Sequence, residues 1–210
     1  MENLSSNGTI DRRATAYSSI LQYRENEDYT SMEFCTVYGY VLSGSVSYRN
    51  TTLTSSHYFS CTADSPITFR VDGTTIFITR LGYQGQNTTG GPIEKTGRLT
   101  YIDGCSDSLL VYPPRLGDPS LNVLYFPKNI DQTFHIHPSL RMGIVAKGSG
   151  IACTNDSEIP LSTGIAFCLD PMERHRFKTT DSEMVVIAFH PDGDWGPTDH
   201  NHTMLNRTYL

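Results

Sequence analysis

Apolar and polar residues alternate with a period of two along most of this chain, the pattern of half-buried β-strands rather than of helices. The alternation predicts strands over 34–42 and 45–48, joined at the turn pair Ser43-Gly44. Others are predicted over 57–61, 67–71 and 75–79. Asp72-Gly73 links the last two and suits a two-residue hairpin, because both turn positions take positive φ. The pattern breaks over 82–92 and again around Tyr112-Pro113-Pro114, where turn-forming residues crowd together. Strands resume over 121–126, 133–137, 142–146, 150–153, 164–168, 175–177 and 184–190. Before residue 29 the chain is polar, with a short helix predicted over 14–23.

Many short strands with almost no helical periodicity place the chain in the all-β class, as a barrel or sandwich. The two halves share a rhythm. Tyr40-Val-Leu-Ser-Gly-Ser-Val46 parallels Ile144-Val-Ala-Lys-Gly-Ser-Gly150, in each case a strand, a small-residue turn and a second strand. Tandem β-barrels with few short helices are the simplest organisation. The expected divisions are a polar arm at 1–28, a first barrel at 29–83, a linker at 84–120, a second barrel at 121–190 and a C-terminal strap at 191–210. Trp195, Met204 and Leu205 give the strap apolar anchors, so it is expected to pack on a barrel or a partner subunit.

Composition narrows the partners. The formal net charge of -6 and the lack of any basic run argue against nucleic acid, which needs clustered Lys and Arg. No stretch approaches the roughly 20 apolar residues of a membrane span, and the N-terminus lacks a basic start and apolar core. Five widely spaced cysteines without a CxxC pair fit reduced thiols and a cytoplasmic location. The Asn-x-Ser/Thr triplets, Asn7 and Asn50 among them, then read as products of a Ser/Thr-rich composition. A small-molecule substrate is the expected partner. Monomer and homodimer both stay open.

The chemistry concentrates in Thr133-Phe-His-Ile-His-Pro-Ser139. In a strand, an HxH pair puts His135 and His137 on one face, and His175 follows at a distance that a neighbouring strand would cover. Three imidazoles form a facial donor set for a divalent metal and leave coordination positions open. Beside them, Gln132 would hydrogen-bond a bound ligand, and Tyr112 and Arg115 would approach the barrel mouth. Asp199, His200 and His202 form a weaker second cluster on a loop, and His57 reads as structural.

At these residues the chain resembles the cupin superfamily. Its first motif runs Gly, five residues, HxH, three or four residues, Glu, six residues, Gly; here Asn129, His135, His137, Arg141 and Gly148 stand at those places. Gly164, Asp170, Met172, His175 and Thr179 fall in register with the second motif, whose proline, second glycine and final asparagine they replace. The resemblance covers residues 121–190, and 29–83 looks like an equivalent barrel without its motif residues. It implies a bicupin of jelly-roll barrels, with His135, His137 and His175 as ligands. Fe(II) is favoured, and Zn, Mn or Ni also suit the donors.

Arg141 departs from the motif, since a guanidinium cannot ligate a cation. It would hold a carboxylate or phosphate of the substrate beside the metal, or pair with Asp170 or Glu173 as support, or repel metal from a relic site. The resemblance thus implies a metal-dependent enzyme acting on a small anionic molecule, foremost an Fe(II) dioxygenase with Arg141 in the catalytic site. A metal-dependent isomerase, epimerase or lyase is the alternative, and a non-catalytic sequestering or sensing cupin the third.

Overall fold

The computed structural model describes residues 1–206, 208 and 209. Its strands follow as β1 (Glu2–Leu4), β2 (Gly8–Arg12), β3 (Ser19–Glu25), β4 (Tyr29–Thr30), β5 (Cys35–Tyr48), β6 (Thr51–Thr54), β7 (Tyr58–Ala63), β8 (Thr68–Leu81) and β9 (Thr88–Gly90). The second half adds β10 (Leu99–Thr100), β11 (Ser106–Val111), β12 (Ser120–Phe126), β13 (Arg141–Thr154), β14 (Glu158–Ser162), β15 (Ala166–Leu169), β16 (His175–Lys178) and β17 (Met184–His190). A 3-10 turn at Ile102–Gly104 and the short helix α1 (Thr203–Asn206) are the helical pieces among the described residues. None of these residues forms a helix long and apolar enough to cross a membrane.

One antiparallel sheet runs β2-β3-β8-β5-β7-β9, with β4 on β8 and β6 on β5. The other runs β1-β15-β13-β17-β12-β11-β10, with β14 and β16 on β13. Both curl through long strands: β5 and β13 each have 14 residues and pair with different partners along their two halves. The corner is built the same way twice. The register shifts between Val41 and Ser43 in one barrel, and between Val145 and Lys147 in the other. A glycine at positive φ follows, Gly44 (φ 70) or Gly148 (φ 78). A Cβ at Gly148 would meet the Glu183 carbonyl oxygen at 1.8 Å, so glycine alone lets the strands cross there. The fold is all-β, two jelly-roll barrels in tandem.

Several local expectations give way. Asp72-Gly73 does not reverse the chain: β8 runs through it, and Gly73 (φ 94) sits opposite Gly44. The positive φ bends a pair of long strands instead of closing a hairpin. The 14–23 segment does not form the expected helix, because Ser19–Glu25 is held as β3 between β2 and β8, with Leu21 and Tyr23 in the core. Tertiary pairing overrides local propensity here. The polar arm also contains β1, which joins the second sheet against β15, and the linker contains β11, which pairs with β12.

Alternation decides what each face of a strand meets. In β12, Leu121, Val123 and Tyr125 join a core shared with Leu21, Tyr38, Tyr40, Ile76 and Ile78 of the first sheet. Asn122, Leu124 and Phe126 face a cavity inside the second barrel. In the first barrel that space is filled by rings. Phe69 lies 4.9 Å from Tyr48, 5.1 Å from Phe77 and 5.6 Å from Phe59, centroid to centroid. All five cysteines are free thiols and buried.

Candidate metal centre and its cavity

His135 and His137 stand on an extended segment, where the sequence predicted a strand. What forms is an isolated antiparallel bridge, in which His135 and His175 exchange backbone N–H···O bonds of 2.9 and 3.0 Å. Pro138 has no N–H with which to prolong the ladder. The His137 carbonyl accepts from the Met172 N–H at 2.8 Å. Alternation survives in the extended backbone: both histidines line the cavity, and Ile136 between them is exposed. His175 opens β16 and is buried. Ring centroids lie 5.0 Å apart for His135–His137, 4.6 Å for His135–His175 and 5.1 Å for His137–His175. One potential ligand atom from each lies within 4.8 Å of the others.

Hydrogen bonds orient two of the rings. Nδ1 of His135 lies 2.8 Å from the Thr133 carbonyl oxygen, and Nδ1 of His175 lies 2.7 Å from that of Glu173. A carbonyl only accepts, so Nδ1 carries the proton and the Nε2 lone pair stays available. Burial pushes His137 down to about 3, assisted by the Arg141 charge and the neighbouring imidazoles. Burial also pushes His175 down to about 4, against the bond to the Glu173 carbonyl, which favours the charged form. At neutral pH these two imidazoles are uncharged, the state a metal requires. The donor set fits a divalent transition metal.

Arg141 opens β13 and lines the same cavity, of about 250 Å³. It is not the support residue that pairs with Asp170 or Glu173. Asp170 is held by Arg12 at 2.7 Å, and Glu173 by the Met1 ammonium group. Arg141 Nη1 instead donates to Ser139 Oγ at 2.6 Å and to the Leu140 carbonyl at 2.9 Å, and lies 3.9 Å from Asp192. Its Nε is buried without a hydrogen-bond partner. A guanidinium anchored at one nitrogen and bare at another is suited to take an anion.

Gln132 lines the cavity too, but its amide serves the fold. Its Oε1 accepts from the Phe177 N–H at 3.2 Å, and its Nε2 lies 3.6 Å from Cys105 Sγ. Tyr112 does not join this group. It lines a separate cleft and packs edge-on against Trp195 at 5.1 Å, because the proline turn carries it toward the C-terminal strap. Arg115 is likewise elsewhere, paired with Asp118 at 3.2 Å. Asp199, His200 and His202 form no ligand group among the described residues.

The cavity also brings in residues that the sequence reading passed over: His190, Tyr101, Asp107 and Asn122. His190 is held well below the usual imidazole value by burial, then by the charges of Arg141 and His137. The period-two register Val186-Ala188-His190 could have placed its side chain inside the barrel. Asp107 and Tyr101 carried no such signal, since they lie in the expected linker. Two motif positions that are glycine in the cupin pattern keep a left-handed backbone here, Asn129 (φ 61) and Met172 (φ 61). At the motif's final position, Thr179 supplies its hydroxyl to the Ile130 N–H at 3.0 Å and to the Pro127 carbonyl.

No protein-family model matches the sequence, and no curated protein matches it. Solved structures match it in fold. A cupin 2 conserved barrel domain protein from Leptotrichia buccalis is 14% identical over 90% of this chain and 88% of that one, with a TM-score of 0.61. The protein Ylba from E. coli is 16% identical over 91% and 84%, with a TM-score of 0.62. A variant of salicylate 1,2-dioxygenase from Pseudoaminobacter salicylatoxidans, in complex with gentisate, is 9% identical over 88% and 74%, also with a TM-score of 0.62. At these identities the likeness concerns architecture alone: this chain shares its fold, two jelly-roll barrels in tandem, with solved cupin structures.

Proposed function

We propose that this protein is a metal-dependent enzyme acting on a small anionic organic molecule, with an Fe(II)-dependent dioxygenase as the preferred reaction. One observation carries the reading: ligand atoms of His135, His137 and His175 converge within 4.8 Å of one another in the cavity that Arg141 also lines. Those three side chains would hold the metal, His135 and His175 through Nε2. A divalent metal there supplies Lewis acidity and, if it is iron, a centre for O2 chemistry. Zn, Mn and Ni suit the same donors.

The chain's own residues do the rest. Arg141 takes the carboxylate or phosphate of the substrate, using the face of its guanidinium that Ser139 and Asp192 leave bare. Leu124, Phe126, Phe167, Phe177 and Val186 form the apolar wall that excludes water and strengthens that ion pair. Gln132 is a positioning residue, holding β16 and therefore His175 against the 132–135 segment. The gentisate complex of the salicylate dioxygenase supports the choice of a small organic acid. The five buried thiols support a cytoplasmic setting.

Elemental analysis of freshly purified protein tests the reading. The expected result is close to one transition-metal ion per chain in the wild type and none in folded His135→Ala. Fe(II)-loaded protein is then given a panel of small organic acids in an oxygen electrode. Uptake of O2 with turnover supports the dioxygenase, and turnover without uptake points to the isomerase or lyase class. A ligand bound and returned unchanged points to a sequestering protein, and wild type that folds without taking up metal overturns the proposal.

A further inference from the structure

The cavity has a second polar end, distant from Arg141. Asp107 lies on β11 and Arg141 on β13, three strands apart in the order β13-β17-β12-β11, yet both line the same space. Asn122 donates from Nδ2 to Asp107 Oδ2 at 2.9 Å. The Asn122 carbonyl in turn accepts from Ser120 Oγ at 3.3 Å, which fixes the amide with its nitrogen toward Asp107. Asp107 Oδ1 has no hydrogen-bond partner among the described residues. Desolvation holds the Asp107 carboxyl above the usual carboxylate range, with the Asn122 bond opposing. Tyr101 lines the same space, and its phenol feels the positive charge of Arg141 and the negative charge of Asp107. The floor joining them is apolar, from Leu124, Phe126, Val186 and Ala188.

An ionised carboxylate accepts hydrogen bonds and donates none, and one facing an apolar cavity is costly until a donor meets it. We propose that Asp107 is a specificity-determining residue that accepts a hydrogen bond from the substrate. The substrate class is then a small organic acid with its carboxylate on Arg141, an apolar body across the floor, and a hydroxyl or amino donor at the far end. This inference rests on the proposed function for the role of Arg141, but not on the identity of the metal or on the reaction.

Calorimetric titration of the full chain, with and without Zn(II), tests it. The probes are 4-hydroxybenzoate and (4-hydroxyphenyl)acetate, each against its 4-fluoro counterpart, which has nearly the same shape and no donor. In the wild type at least one phenol is expected to bind about tenfold more tightly than its fluoro partner, the scale of a hydrogen bond to a charged acceptor. Asp107→Asn and Asp107→Ser are both expected to remove that preference and leave the affinity for the fluoro acid unchanged, with folding checked by thermal melting. Equal binding of phenol and fluoro acid by the wild type, an unchanged preference in either folded variant, or no binding of any probe overturns the inference. Metal content on the same samples separates it from the enzyme reading. A preference in wild type that takes up no metal even when Zn(II) is offered sinks that reading and spares this one, and bound metal without a preference does the reverse.

Discussion

Arg141 and Asp192 face each other at 3.9 Å, and the Ser139 hydroxyl accepts from the first and donates to the second. Asp192 lies just beyond β17, so the strap that follows the second barrel fixes the guanidinium inside it. The same carboxylate acts on Tyr17 and Arg80 of the first half. Asp192→Ala leaves the Arg141 guanidinium without its nearby counter-charge and the Ser139 hydroxyl without its acceptor. The expected cost is about 1–3 kcal/mol in urea unfolding, together with weaker binding of small carboxylates.

Metal binding to the three histidines should appear as stability. A ligand that binds only the folded chain stabilises by mass action, about 2.7 kcal/mol at a hundredfold excess over its dissociation constant. Zn(II), or Fe(II) without air, is expected to raise the melting temperature of wild type, and a chelator to reverse the gain. His175→Ala is expected to melt at the same temperature with and without metal.

Acid should weaken the metal-free protein before its carboxylates titrate. His137 and His175 are held at about 3 and about 4 in the folded chain, against 6.5 when unfolded. Between these values the unfolded chain binds more protons, so stability is full above pH 6.5 and is lost as pH falls toward 4. At pH 5 the loss is up to about 2 kcal/mol for buried His175 and less for half-buried His137. Urea unfolding of chelator-treated protein at pH 7 and pH 5 measures it. A His137→Gln/His175→Gln variant is expected to lose less over the same interval.

Phe69 tests the division of labour between the barrels. It is fully buried among Tyr29, Tyr48, Phe59 and Phe77. Phe69→Ala is expected to cost about 3–5 kcal/mol of stability. Metal content per folded chain, measured well below the melting temperature, is expected to stay at the wild-type value.

Met172 holds a left-handed backbone beside the site, with its side chain largely exposed. That conformation costs an L-residue about 1–2 kcal/mol, which glycine avoids at some expense in chain entropy. Met172→Gly is therefore expected to stabilise the protein by roughly 0.5–1 kcal/mol in thermal melts.

The legible part of the site was the part whose spacing is local. His135 and His137 share a face because backbone geometry alone puts alternate residues together, and this held although their segment forms a bridge rather than a strand. His175 was legible through the motif. The ambiguous signals were Asp72-Gly73 and the 14–23 segment, where the same residues satisfy two local structures. Positive φ serves a hairpin or a bent strand equally well, and the choice falls to the partner strand, here β5 with Gly44 opposite.

Alternation along the chain, read without coordinates, determined that this is an all-β protein, because a two-residue period gives each strand one face for the core, and the shared rhythm of the halves pointed to two barrels in tandem. It also put His135 and His137 on one face, while His175 came from the motif. Tertiary structure alone decided that Arg141 answers to Asp192, that Tyr112 belongs to another cleft, and that His190 and Asp107 enter the cavity. Those relationships join residues on different strands or beyond strand ends, and only sheet order and barrel closure bring them together.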